Sequence, residues 1–188
     1  MSKVDLVVLG FLKRKPEYGY EIIQLIKKHH IDVWADIKLT TVYKVLQRLQ
    51  LKKLISGKLE YDPKNPPKTV FSINEKGSDY LKKLLSDILL NDSTTDRDFW
   101  LSMLFIKKNI SKELFVEALT KKRMKIEKRL EEMQQAHQKF FEQDNENELP
   151  YYHLANMEMM KEFNLLKLKT LNKIIKQSGE NDNDKYFI

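Results

Sequence analysis

The chain has 188 residues, no cysteine, and 34 lysines and arginines against 27 acids, for a net charge of +7. That length suits one domain or two small ones, each able to bury a core. Lacking cysteine, it can form no disulfide, thiolate metal site or thiol nucleophile, and the composition fits a reducing compartment. The charge is unevenly placed. Residues 1–90 hold 17 basic and 10 acidic side chains, whereas residues 91–188 hold 17 of each. The whole excess lies in the N-terminal half, as expected of a surface that meets phosphates.

Val4 to Lys13 reads as an apolar helix (Leu6, Val7, Leu9, Phe11, Leu12) that stops before Pro16. The run contains an acid, is too short to span a bilayer and has no cleavage site. A cytoplasmic location with no membrane association is therefore expected. A second helix starts around Tyr18–Glu21 and carries Ile22, Ile23, Leu25 and Ile26 to about Lys28. There Tyr18, Gly19 and Tyr20 are read as serving packing and the start of that helix. The third helix, Leu39 to Ile55, organises the chain. Leu39, Val42, Leu46 and Leu49 recur at three- and four-residue steps and define an apolar back. Thr40, Thr41, Lys44, Gln47 and Arg48 form a front able to donate hydrogen bonds. A major-groove reader needs such a front, and Thr40 or Thr41 is expected to cap the first turn.

Ser56-Gly57 reads as a turn, followed by two extended runs, Lys58–Asp62 and Thr69–Ile73. Between them Pro63–Lys68 (PKNPPK) forms a proline-stiffened tip, with Lys64 and Lys68 placed to touch phosphate. Three helices and such a hairpin describe a winged helix-turn-helix. Asn74 should cap a fourth helix through Ile88, although Gly77 in its first turn has no evident reason. Polar Asn91–Asp96 marks the best domain boundary. A short helix follows (Phe99, Trp100, Met103, Leu104), then Ser111 as the cap of a long one.

From Lys112 to about Gln143 nothing breaks the helix, which at ~1.5 Å per residue is about 45–50 Å long. Leu119, Ile126, Met133 and Phe140 recur every seven residues, a coiled-coil seam interrupted by Arg123. Asp144–Leu149 reads as a polar turn, and Pro150 opens a last helix that ends at Gly179. The apolar residues of this helix, Met160, Phe163 and Leu166 among them, spread over more than one face. One partner helix cannot cover them all, so a second chain is implied.

No constellation of nucleophile, base and orienting group is present, and five glycines supply no phosphate loop. The chain therefore reads as no enzyme and as needing no cofactor. His29, His30, His137 and His153 lack the spacing of a metal site, so no metal is expected either. Phe99, Trp100, Tyr151, Tyr152, His153 and Met157 could line an apolar pocket for a small hydrophobic effector. The plainer account is that they are dimer core.

With these residues in view, the chain resembles the PadR family of transcriptional regulators, in its members with a long helical C-terminal (Vir-type) domain. The resemblance is carried by LVVLGFL at Leu6–Leu12, YGYEI at Tyr18–Ile22 and TVYKVLQRL at Thr41–Leu49. Leu54-Ile55 and FSINEKG at Phe71–Gly77 complete it. It implies a homodimeric repressor released by a phenolic or hydrophobic molecule, and a backbone-approaching role for Tyr43. Where the family has a glycine ending the reading helix, Lys53 stands here. After the wing the family prefers an aromatic-threonine pattern, where this chain has Thr69, Phe71 and Asn74.

The expected fold is mainly α: a winged helix-turn-helix over 1–90, then an all-α dimerisation and effector domain over 91–188. Long antiparallel helices build the second part, with Leu119, Ile126, Met133, Met160, Phe163 and Leu166 at the dimer contact. The expected function is sequence-specific binding of an inverted repeat in double-stranded DNA. The alternative is a helical scaffold whose winged helix binds protein.

Overall fold

In the computed structural model, which describes residues 2–62, 65–143 and 150–188, the run of apolar residues at the N-terminus becomes α1 (Lys3–Arg14). Every side chain from Asp5 to Leu12 is buried there. Around it lie β1 (Glu17–Tyr18), α2 (Gly19–Lys28), a one-turn α3 (Ile31–Trp34) and α4 (Thr41–Leu51). Then come β2 (Ile55–Asp62), β3 (Asn65–Ile73) and α5 (Glu75–Leu90). The expected mainly helical fold with a winged helix-turn-helix is the fold found. The chain divides into two compact units. One runs to Ile110 and includes Tyr186–Ile188; the other is Ser111–Lys185.

The sheet has three antiparallel strands in the order β1-β3-β2. Two local expectations are corrected in it. The second helix starts where expected, with Tyr18 as the N-cap of α2, and Glu17 and Tyr18 also pair with Phe71 and Val70 as a short strand that the periodicity does not show. Ser56 and Gly57 are no turn, since they continue β2 opposite Ser72 and Phe71. Pro66 and Pro67 lie inside β3 rather than in a loop. They fit because β1 reaches only Val70 and Phe71, and because the register slips between Glu60 and Asp62 at that level. Proline is tolerated where a ladder bond is already missing. Lys64 lies outside the described residues.

The end of α4 explains Lys53. Its φ is 56°, in the left-handed region that favours glycine. The Lys53 amide donates to the Gln50 carbonyl and the Leu54 amide to the Leu49 carbonyl, closing the helix with two crossed bonds. Lysine thus occupies a glycine conformation. Asn74 caps α5 as expected, accepting from the Gly77 amide at 2.9 Å. Its own side-chain amide donates to the Lys53 carbonyl at 2.9 Å. Gly77 now has a reason. A β-carbon there would overlap the Leu54 carbonyl oxygen and crowd Ile73. The first turn of α5 lies directly on the backbone that leaves α4.

The first unit continues past polar Asn91–Asp96, which was read as the boundary. Thr95 caps α6 (Asp96–Ser102), which runs into a 3-10 turn at Met103–Phe105. Phe99, Leu101 and Phe105 are buried, and Phe105 meets Phe11 edge to face. A β-carbon on Gly10 would enter the Phe105 ring. Residues 96–110 therefore complete the core of the first unit.

The second unit holds α7 (Lys112–Gln143) and α8 (Tyr151–Ser178). Ser111 caps α7 by accepting from the Leu114 amide, and Pro150 stands at the N-cap of α8 rather than inside its first turn. The expected polar turn Asp144–Leu149 lies outside the described residues, as does the side chain of Phe140. Along α8 the buried residues are Asn164, Leu171 and Ser178, seven apart. Leu119 and Ile126 of α7 are buried and Met133 half-buried, also seven apart. The seven-residue repeat thus forms the intrachain seam between α7 and α8.

Candidate nucleic-acid interface

Val42, Val45, Leu46 and Leu49 hold the back of α4 in the core of the first unit. Thr40, Tyr43, Lys44, Gln47 and Arg48 are exposed, and Thr41 is half-buried. The expected front therefore exists as one surface. Its cap is a correction. Thr40 stands at the N-cap but already has a helical φ of −61°, and its hydroxyl accepts from no first-turn amide. Capping needs an extended residue whose side chain can turn back over the helix end. The Thr41 hydroxyl instead donates to the Lys38 carbonyl at 2.6 Å.

Tyr43 is half-exposed, and its ring lies against Gly19, where a β-carbon would come within 2.6 Å of it. That packing explains the glycine in YGYEI. Tyr43 and Gln47 border a cleft of about 270 Å³ with Tyr18, Tyr20, Lys68 and Phe71. Here the start of α2, the front of α4 and the wing meet. Lys68 is held with its ammonium 5.3 Å from the centre of the Tyr20 ring. Tyr20 stacks on Tyr18, whose hydroxyl donates to Glu60 at 2.6 Å. That hydrogen bond pushes the Tyr18 phenol up to about 12, so it stays a donor. The wing is thereby tied to α2 through two tyrosines.

Behind them Glu17 is buried while Lys15 reaches its carboxylate at 3.2 Å. Burial, with a hydrogen bond to Glu21, raises the Glu17 carboxyl above its ordinary value. The same bond, with the Tyr18 amide that Glu21 accepts, lowers Glu21. The pair therefore holds its proton on Glu17 first.

Arg48 has a contact that its place on the polar front does not reveal. Its guanidinium pairs with Asp5 of α1, a carboxylate 4% exposed. The signal in the sequence is the one acid inside an otherwise apolar run.

The residues read as an effector set fall into separate units. Phe99 is buried and Trp100 half-buried on α6, with rings edge to face. Tyr151, Tyr152 and His153 are exposed at the start of α8, each ring edge to face with the next. Met157 lines a cleft of about 590 Å³ between α7 and α8, with Leu130, Met133, His137, Leu154 and Leu165. Of the residues read as a dimer contact, Leu119 and Ile126 are buried in the single chain. Met160, Phe163 and Leu166 are exposed. Among the described residues no cluster could hold a metal ion, and no helix is long and apolar enough to cross a membrane.

Residues 8–83 match the model of the transcriptional regulator PadR-like family, from the middle of α1 through α4 and the wing to the middle of α5. No curated protein matches the chain. Among solved structures, a PadR-like transcription factor from Bacteroides fragilis is 25% identical, covering 43% of this chain and 74% of its own, with a TM-score of 0.39. PadR of Bacillus subtilis in complex with operator DNA is 18% identical, covering 93% and 98%, with a TM-score of 0.41. The same protein in complex with p-coumaric acid is 19% identical, covering 95% and 100%, with a TM-score of 0.40. Residues 8–83 thus form a domain of the transcriptional regulator PadR-like family.

Proposed function

We propose that this regulator is a cytoplasmic homodimeric repressor that reads an inverted repeat with one α4 from each copy. The observation that carries the reading is the division of α4. Its apolar back is fixed in the core, while Thr40, Lys44 and Gln47 are exposed and Thr41 half-buried on the opposite side, with Gln47 sharing a cleft with Lys68. Such a front matches the donors and acceptors of base edges in the major groove, and a lysine on the wing matches a phosphate. Met160, Phe163 and Leu166 supply an apolar surface for the second copy. The cleft beside Met157 suits a small hydrophobic or phenolic effector, whose binding and operator binding weaken each other by the same factor.

The test is to select bound fragments from genomic DNA and titrate them with Thr41→Ala, Lys44→Ala, Gln47→Ala and Lys68→Ala. Each base-contacting variant should lose ~1–3 kcal/mol on the operator and tolerate a change at one base pair. Lys68→Ala should weaken all DNA alike and lower the salt slope by about 1. A protein-binding winged helix would give no such salt dependence, and unchanged operator preference in all the variants would refute the reading.

A further inference from the structure

Asp5 lies in the first turn of α1, 4% exposed, at the head of a buried stretch whose next four residues are the hydrophobics Leu6, Val7, Val8 and Leu9. An ionised carboxylate in such a place needs a charged or hydrogen-bonding partner. Arg48 provides it from α4, reaching inward from the exposed side of the helix with a side chain still 45% exposed. Arg48 immediately follows Gln47 and lies one turn beyond Lys44, so the bond is made at the edge of the reading surface itself.

The buried residues of α4, Val42, Val45, Leu46 and Leu49, are all apolar, and apolar packing has no directional preference. Such a contact resists separation but tolerates small sliding and rolling of one helix on the other. A charged hydrogen bond from a planar guanidinium is directional, and it fixes both movements. Base recognition demands that restriction, because contacting groups must be held to within about 0.5 Å of their productive positions.

We propose that the Asp5–Arg48 pair is a positioning device for DNA recognition. It sets the roll and axial position of α4, and Arg48 acts through Asp5 rather than on a base or phosphate. The inference rests on the reading of α4 as the DNA-contacting helix.

The experiment uses the full chain, a selected operator and a non-specific duplex, titrated at several salt concentrations. The variants are Asp5→Asn, Arg48→Gln, the two together, and Lys44→Ala for comparison. The double variant buries no unpaired charge and keeps the net charge, so it stays folded even where a single variant does not. It should lose roughly tenfold or more in operator affinity, the size of one lost base contact. Its affinity for non-specific DNA and its salt slope should stay at the parent values. Each folded single variant should lose as much as the pair, because the two groups act as one. A fall of about 1 in the salt slope for Arg48→Gln, with Asp5→Asn harmless, would make Arg48 a direct phosphate contact and overturn the proposal. Parent-like operator affinity in the double variant would overturn it too. If Lys44→Ala were also indifferent, the failure would lie in the assignment of α4 itself.

Discussion

The two units treat apolar surface in opposite ways. In α1 eight consecutive residues are buried, including glycine and aspartate, and Phe11, Phe99 and Phe105 close the space around them. In α8, among the described residues, Leu171 is the only buried apolar side chain, and the two residues buried with it are polar. Asn164 and Ser178 turn their polar groups back onto Met160 and Ile174 carbonyls of their own helix. Phe163 is 52% exposed and Leu166 61%. A closed core completes its own fold and leaves its polar face for a ligand. An open apolar stripe leaves its driving force to a partner, which a second copy supplies in our reading.

The widest test of that contrast is Phe163→Ser with Leu166→Ser. Both side chains are exposed in the single chain, so helix content should hold. In a symmetric dimer four side chains are removed, at roughly 1.5 kcal/mol each, or about 6 kcal/mol of association. Sedimentation should show dissociation at concentrations where the parent stays dimeric. Next comes the closed unit. Gly77→Ala places a methyl on the Leu54 carbonyl and should cost about 3 kcal/mol of stability, measured by denaturant titration. An effect below about 0.5 kcal/mol would mean that the turn between α4 and α5 is loosely packed.

A smaller change should go the other way. Lys53→Gly relieves a left-handed lysine and should raise stability by about 0.5–1 kcal/mol without altering the fold. The smallest effect concerns the carboxyl pair beneath the wing. Glu17, raised by burial, favours the fold when protonated, and that contribution is lost as pH rises through its raised value. Glu21, lowered by its hydrogen bonds, contributes above the ordinary glutamate value and loses that as pH falls through the lowered one. Glu17→Gln removes the first effect, while its amide still offers Glu21 a hydrogen-bond donor. Its Tm relative to the parent should therefore improve from about pH 4 to about pH 7, and a constant difference would deny the raised carboxyl.

Elements defined by their own periodicity were legible in the sequence. α4 and α7 show it, as does the Asn74 cap, because three- and four-residue spacing and a capping side chain are local signals. Elements defined by a distant neighbour were not. β1 has two residues and exists only because Val70 and Phe71 lie beside it. The polar Asn91–Asp96 segment looks like a boundary, yet Phe105 returns to Gly10 and Phe11, almost a hundred residues earlier. Gly77 gains its reason from a carbonyl 23 positions away, and Arg48 from an acid on another helix. At the candidate interface the composition of the front was readable. The stack of Tyr18, Tyr20 and Lys68 that holds the wing was not, since it depends on β3 lying next to α2.

The central claim is that two copies of α4, brought together in the proposed homodimer, read one operator. The direct measurement is titration of the full chain against its selected operator with the spacing between half-sites altered. Inserting about half a helical turn, ~5 base pairs, should turn one half-site to the opposite side of the duplex and abolish tight binding. The affinity left should be that of a single half-site, whereas mutation of one half-site at the natural spacing should reduce binding to the same level. Equal affinity for both spacings, or a single half-site bound as tightly as the whole operator, would contradict the account.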